Sequence, residues 1–231
     1  MPPMRTFAAL FLACAPHFAA TCAAAPFAVQ LGDARIALDA PPGFADTTFT
    51  GSPRLQELAE TLTSPSNRIL LFAISDGDMR RFTVGETPDF RRYMVAVTPR
   101  GADRDRVTPE LFQRFVADAL RDIGKPPAIP DVVAYLEQQP PGEMRPLAEL
   151  RRDASVVSVL QGLRIPGKKK GGLFTRGDPS TYVLSSTTLI LLRGKALNLS
   201  VFTHFDSPAD LEWIRATTVR WAEDLQRLNT R

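Results

Sequence analysis

The sequence is poor in the side chains that most often carry catalysis or bind metals. Its 231 residues include two cysteines, Cys14 and Cys22, and two histidines, His17 and His204. Three of these four lie within the first 25 residues. Without that segment the chain can form no disulfide and no thiolate metal site, and a single histidine cannot supply the usual zinc ligands. The sequence therefore predicts no cofactor and no metal centre.

Long apolar runs are also scarce, and the clearest one lies at the start of the chain. Residues 7–15 are apolar, follow Arg5, and are succeeded by small residues up to position 25. This order is typical of a secretory signal peptide. A transmembrane helix needs about 20 apolar residues, and Pro16 and His17 interrupt this run. We therefore predict a signal peptide over residues 1–25 and export of the protein to the periplasm or the extracellular medium.

An alternative reading makes Cys22 the lipid-carrying first residue of a lipoprotein. The three residues before it, Ala19, Ala20 and Thr21, lack the expected leucine and end in threonine rather than glycine or alanine. Lipidation of Cys22 is therefore the less favoured prediction. It would tether the protein to the cell envelope as a membrane-associated protein.

The overall charge excludes a dedicated nucleic-acid binder. The chain carries 28 basic and 25 acidic residues, a formal net charge of +3. Removal of the signal peptide, and of Arg5 with it, reduces the excess to +2. Nucleic-acid binding domains concentrate a much larger positive charge on one surface. We therefore expect no nucleic-acid partner.

Much of the local positive charge falls in one glycine-flanked segment, at Arg164, Lys168, Lys169, Lys170 and Arg176. A basic loop gains about 1 kcal/mol per basic residue near an anionic membrane surface. Weak contact with anionic lipid is therefore one prediction for these residues. The alternative is a loop that only increases solubility.

Turn and cap signals predict an α+β domain over residues 26–231. Strands are expected at 27–31 and 35–38, 69–74, 91–98, 155–165, 181–193 and 196–205. Helices are expected to start after Ser52, Thr108 and Ser207, each a capping residue followed by proline. Asp210 completes a capping box with Ser207. These elements predict an antiparallel sheet flanked by helices.

Three local features refine that prediction. Residues 125–147 are rich in proline and are expected to form an ordered excursion with a short helix that buries residues 132, 133, 135 and 136. Asp76-Gly77-Asp78 is expected to be a turn between strands rather than a calcium loop, because it lacks the distal glutamate. Gly194-Lys195 is expected to close the last hairpin.

Two segments resemble a known family. Residues 36–44, IALDAPPGF, resemble the entry of Mog1/PsbP-like domains, in which a strand is followed by proline, glycine and an aromatic residue. The hairpin of residues 189–205 and the helix of 207–228 resemble the end of those domains. The chain is also similar to uncharacterised secreted bacterial proteins. The resemblance implies an α/β/α sandwich used for protein interaction or assembly, commonly without catalysis, and it assigns no functional residue.

The sequence offers no complete catalytic motif. Gly162 to Lys168 match G-x-x-x-x-G-K, but Lys169 replaces the Ser or Thr that would hold magnesium, and glycines follow in place of a helix. His204 lies near the end of a predicted strand and is expected to be structural, because no G-x-S-x-G motif accompanies it. We therefore expect an exported, non-catalytic binding or assembly domain with a protein partner in the envelope. A hydrolase whose carboxylates converge from distant strands is an alternative.

Overall fold

The structure is a computed structural model, and it describes residues 26–102, 104–167 and 179–230. The predicted signal peptide with Cys22 lies outside the described residues. So do Lys168, Lys169, Lys170 and Arg176.

The described chain has the predicted α+β architecture. Seven of its strands form one antiparallel sheet, and the first two form a separate hairpin. The strands are β1 Phe27–Leu31, β2 Ala34–Leu38, β3 Phe44–Asp46, β4 Asn67–Ser75, β5 Arg92–Pro99, β6 Arg145–Arg152, β7 Val156–Ile165, β8 Thr181–Leu192 and β9 Lys195–His204. The helices are α1 Pro53–Thr61, α2 Asp76–Thr83, α3 Pro109–Ile123, α4 Val132–Glu137 and α5 Pro208–Asn229. The strand order in the sheet is β3-β4-β5-β9-β8-β7-β6.

The three predicted helix starts are confirmed. The hydroxyl oxygens of Ser52 and Thr108 accept the backbone N–H groups of Leu55 and Leu111 at 3.4 and 3.3 Å. The N–H of Ser207 donates to Asp210 Oδ2 at 3.1 Å, as a capping box requires. These bonds satisfy backbone groups that a helix end would otherwise leave unpaired.

The predicted turn at Asp76-Gly77-Asp78 is wrong, because these residues form the first turn of α2. The hydroxyl oxygen of Ser75 accepts the Asp78 N–H at 3.1 Å. Two aspartates in the first turn also favour a helix, since its N-terminus carries partial positive charge. A serine three residues before an aspartate was therefore a cap signal, and it outweighed the turn preference of Asp-Gly.

The proline-rich excursion contains the predicted short helix, but it ends earlier than expected because β6 starts at Arg145. Leu136 of α4 is fully buried, whereas Val133, expected to be buried, is exposed. Pro146 lies within β6, which is possible because β6 is an edge strand. The closing hairpin turns one residue early, at Arg193 and Gly194, both with positive φ. Positive φ at both positions is the signature of a type I′ turn.

The two faces of the sheet are covered differently. One face, here called the long-helix face, packs against α5, the β1–β2 hairpin and α4. Six residues of α5 recur at steps of three and four, which predicts that they share one buried side of the helix. The structure confirms this: Ile214, Thr218, Trp221 and Leu225 are buried, and Leu211 and Leu228 are partly buried beside them.

The opposite face, here called the short-helix face, holds two separate apolar clusters. In one, α1 and α2 cover β4 and β5, and in the other α3 covers part of β7 and β8. Pairing of Tyr93 with Phe202 places the stacked rings of these residues on this face, with centroids 4.5 Å apart. None of the described helices is long and apolar enough to cross a membrane.

Candidate functional site

A polar cavity of about 310 Å³ lies at one end of the sheet. We call it the end cavity. It is lined by a serine, a threonine, a glycine, three aspartates, three arginines and His204. Antiparallel pairing creates the cavity, because it brings the end of β4, the start of β5 and the end of β9 to the same end of the sheet. In this register Ile74 pairs with Tyr93, and Arg92 pairs with Thr203. The first turns of α2 and α5 complete its wall.

The aspartates of the end cavity are already bonded. Asp78 is almost fully buried. Its Oδ2 accepts the Ser75 hydroxyl at 2.8 Å, and its Oδ1 accepts the Asp89 N–H at 2.8 Å. Phe90, the next residue, has a positive φ of 49°, a conformation that L-residues rarely adopt. The Asp78 carboxylate therefore fixes the path of the chain between α2 and β5.

Asp210 ties the start of α5 to β5. Its Oδ1 accepts Arg92 Nη2 at 2.7 Å, and its Oδ2 accepts the backbone N–H of Ser207. Burial by itself would raise the pKa of Asp210, but the hydrogen bonds from Arg92 and Ser207 outweigh it and the pKa is lowered. Asp210 is therefore ionised at neutral pH and is a poor general acid.

The three arginines of the end cavity differ in how firmly they are held. Arg92 is fixed twice, by its ion pair with Asp210 and by its guanidinium carbon, 4.2 Å from the centroid of the Trp213 ring. Arg81 forms one ion pair with Asp89, and Arg91 forms one with Asp206. Both of these side chains are about half exposed, 46% and 53%. The other guanidinium nitrogens of Arg81 and Arg91 donate to no described residue, so donors remain available.

His204 is the last residue of β9, at the strand end where the sequence predicts it. Its backbone N–H donates to the Arg91 carbonyl at 3.0 Å, and its imidazole makes no hydrogen bond with the described residues. Burial, and secondarily the positive charge of Arg91, lower the pKa of His204. The ring is therefore neutral at pH 7, with one N–H donor and one nitrogen acceptor.

The end cavity does not contain an assembled catalytic set among its described residues. A Ser-His-Asp triad requires the serine hydroxyl to donate to the histidine, but Ser75 donates to Asp78. Within the described ranges, no group of three or more His, Cys, Asp or Glu residues is placed to hold a metal ion. The arrangement is suited to binding, because the His204 imidazole and the remaining nitrogens of Arg81 and Arg91 have no described partner, whereas Asp78 and Asp210 are bonded through both oxygens.

Two other cavities lie beside α1. The larger, about 350 Å³, has Ile69 and Phe72 as its floor and Arg68, Arg100 and Glu60 on its walls. The Arg100 Nε donates to the Pro65 carbonyl at 3.0 Å, and Glu60 accepts the Gln56 amide. The smaller, about 290 Å³, lies between α1 and the aromatic residues Phe82 and Phe90, and Arg54, Glu57 and Thr61 also line it. Neither collects as many polar groups as the end cavity.

Arg164 is the one described member of the predicted basic group, and it lies away from the end cavity. Its Nη1 donates to Glu137 of α4 at 2.9 Å, so its charge is paired. The Tyr182 hydroxyl also donates to Glu137. Burial, followed by the hydrogen bond to Glu137, raises the pKa of Tyr182 to about 12, so this hydroxyl keeps its proton. The three side chains fasten α4 to the ends of β7 and β8.

Residues 162–165 of the G-x-x-x-x-G-K match lie in β7. A Cβ at Gly162 would come within 2.9 and 3.0 Å of Leu147 and Leu136. This glycine therefore permits close packing of α4 and serves no phosphate loop.

Sequence reasoning singled out His204 but expected it to be structural, and it missed the neighbours of His204 in the end cavity. Arg81, Asp89, Arg91 and Arg92 lie close together in the chain, and that concentration of charge was the available signal. What joins them to His204 and Asp210 is the pairing of β5 with β9, across more than 100 residues.

Comparisons with known proteins give no match: no family model, no curated protein and no solved structure matches this chain.

Proposed function

We propose that the chain is an exported domain that binds a ligand or partner without catalysing a reaction, and that the end cavity is its binding site. One observation carries the proposal. The end cavity gathers Arg81, Arg91 and His204 with unused donors, while the Ser75 proton is committed to Asp78. Such a site can hold and orient a molecule, but it lacks an activated nucleophile.

Export is supported by the order of charge, apolar run and small residues in the first 25 positions. We place the protein in the periplasm or outside the cell, where a protein of the envelope is its expected partner. The Mog1/PsbP-like resemblance agrees with a non-catalytic role in interaction or assembly.

Co-purification tests the binding function. The full chain would be produced in its native envelope and purified under mild conditions, and small molecules released by denaturation would be identified by mass spectrometry. We expect a molecule that accompanies the wild type, is unchanged after prolonged incubation, and is depleted at least about tenfold in the double variant Arg81→Gln/Arg91→Gln.

The matched control is Arg80→Gln, which removes an exposed arginine of α2 that does not line the end cavity. It should retain the molecule. Equal recovery from the double variant would show that the end cavity is not the site, and conversion of the molecule during incubation would show catalysis.

The intact mass of the purified protein tests export and tethering separately. We expect loss of the first 23 to 25 residues and no further modification. A chain that begins at Cys22 and carries the added mass of a diacylglyceryl group would establish the tethered alternative. An unprocessed chain would contradict export through a cleaved signal peptide.

A further inference from the structure

We propose that the end cavity binds a small oxyanion, a carboxylate or a phosphate group, through Arg81, Arg91 and His204. This inference rests on the proposed function and specifies the ligand class of the same site. It follows from which hydrogen-bonding groups of the end cavity are used and which are left over.

Most carboxylate oxygens of the end cavity already accept a hydrogen bond or an ion pair from the protein. Both oxygens of Asp78 accept hydrogen bonds, and so do both oxygens of Asp210. Asp89 and Asp206 each hold one arginine. A ligand that needs acceptors from the protein therefore finds few in the described part of the site.

The donors, in contrast, exceed their partners. A guanidinium carries five N–H groups in a planar fork that matches the oxygens of a carboxylate or phosphate. Arg81 and Arg91 each use one terminal nitrogen in an ion pair, and both side chains are about half exposed, so their remaining N–H groups can be reached from the solvent. Arg92 is excluded as a primary donor, because Asp210 and Trp213 hold it in place.

The first turn of α2 adds a backbone donor to these side chains. The Asp76 N–H donates to the Gly43 carbonyl, and the Asp78 N–H donates to Ser75. The Gly77 N–H between them has no described partner, and Gly77 lines the end cavity. The first N–H groups of a helix have no intrahelical acceptor and favour anions.

The size of the end cavity limits the ligand. Its volume of about 310 Å³ lies at the lower end of the range for small-molecule sites. One oxyanion group with a short organic portion fills such a volume. The shared chemistry is the oxyanion, and phosphate and carboxylate are separated by the test below.

The test is an NMR titration of the His204 imidazole in the full chain. His204→Gln identifies its ring signals, since the chain has one other histidine, His17. Four ligands are added at constant ionic strength: inorganic phosphate, acetate, glucose as a neutral solute and methylammonium as a cation. We expect phosphate, acetate or both to shift the His204 signals and to raise its pKa, because a nearby anion stabilises the imidazolium.

The variants connect that response to the arginines. Arg81→Gln/Arg91→Gln should weaken anion binding at least about tenfold, which corresponds to about 1.4 kcal/mol. Arg81→Lys/Arg91→Lys keeps both charges but loses the planar forks, so its affinity should be intermediate. Arg80→Gln should bind as the wild type does. An unchanged far-ultraviolet circular dichroism spectrum shows that each variant is folded.

Each result decides the proposal. A stronger response to phosphate than to acetate assigns a phosphorylated ligand, and the reverse assigns a carboxylate. Equal anion responses in the wild type and the double glutamine variant would mean an adventitious ion only and overturn the proposal. A response to glucose or methylammonium alone would overturn the oxyanion and leave the proposed function standing. With no response to any of the four, the oxyanion is wrong, and co-purification then decides the function independently.

Discussion

The two faces of the sheet differ in how continuously helices cover them. On the long-helix face, one helix of 22 residues, α5, lies over a continuous core that includes residues of β4 to β9 and of the β1–β2 hairpin. On the short-helix face, helices of 9, 8 and 15 residues cover two separate clusters. Asn198, Ser200 and Thr187 lie between those clusters and are half-buried.

Helix length explains much of the difference. At 1.5 Å per residue, α5 is about 33 Å long, enough to cross several strands spaced nearly 5 Å apart. By the same rise, α1 and α2 are each less than half that length. The short-helix face therefore keeps half-buried polar side chains between its two clusters.

Neither edge strand of the sheet is well suited to pairing with a further strand. β3 has three residues, and β6 contains Pro146 and two irregularities in its pairing with β7. Short edges, prolines and bulges are the usual means by which proteins prevent strand addition.

The largest loss of stability is expected from a substitution in the core of the long-helix face. Trp221 is buried, and its Nε1 donates to the Asp39 carbonyl at 2.8 Å. Trp221→Ala should reduce the free energy of unfolding by about 3–5 kcal/mol, because it leaves a cavity and an unpaired carbonyl. Urea denaturation followed by circular dichroism measures the change.

The matched change on the short-helix face is Phe202→Ala. Phe202 is half-buried and stacks on Tyr93, so its loss should cost about 1–2 kcal/mol. An equal or larger cost for Phe202→Ala than for Trp221→Ala would contradict the expectation that the long-helix face contributes more to stability than the short-helix face.

An intermediate effect is expected where α5 holds the β1–β2 hairpin. The side chain of Asn229 accepts the Ala37 N–H at 2.9 Å and donates to the Ala37 carbonyl at 2.8 Å. Asn229→Ala should cost about 1–3 kcal/mol, because it leaves two backbone groups without partners. Hydrogen exchange should accelerate most in residues 27–38. Uniform acceleration across the sheet instead would show that the hairpin is not a separate unit of stability.

Local signals in the sequence predicted much of this fold. Capping serines or threonines followed by proline marked three helices, and the spacing of Ile214, Trp221 and Leu225 marked the buried side of α5. These signals work because a helix terminus or an amphipathic stripe is determined by residues only a few positions apart.

Apart from α2, whose cap signal is local, the main features that were missed depend on distant residues. β6 carries a charged residue at half of its eight positions, without regular alternation, and it is a strand because it pairs with β7. The end cavity required the register of Arg92 with Thr203, and no local pattern specifies that register. The paired charge of Arg164 was missed for the same reason, since Glu137 lies on another element.

The smallest effect is expected when an apolar residue replaces a polar one on the short-helix face, which makes that face more continuous, like the long-helix face. Asn198 lies between Val97 and Leu189 on neighbouring strands, and its buried Oδ1 has no partner among the described residues. Asn198→Val removes this unpaired acceptor and introduces a residue that favours strands, so it should raise the free energy of unfolding by about 0.5–1 kcal/mol. Asn198→Asp places a charge at the same position and should lower stability instead. Anion binding by the end cavity should be unchanged in Asn198→Val, since Asn198 does not line it. A loss of stability in Asn198→Val would mean that the amide makes a favourable interaction. The polar residues between the two clusters, Asn198, Ser200 and Thr187, would then contribute to stability.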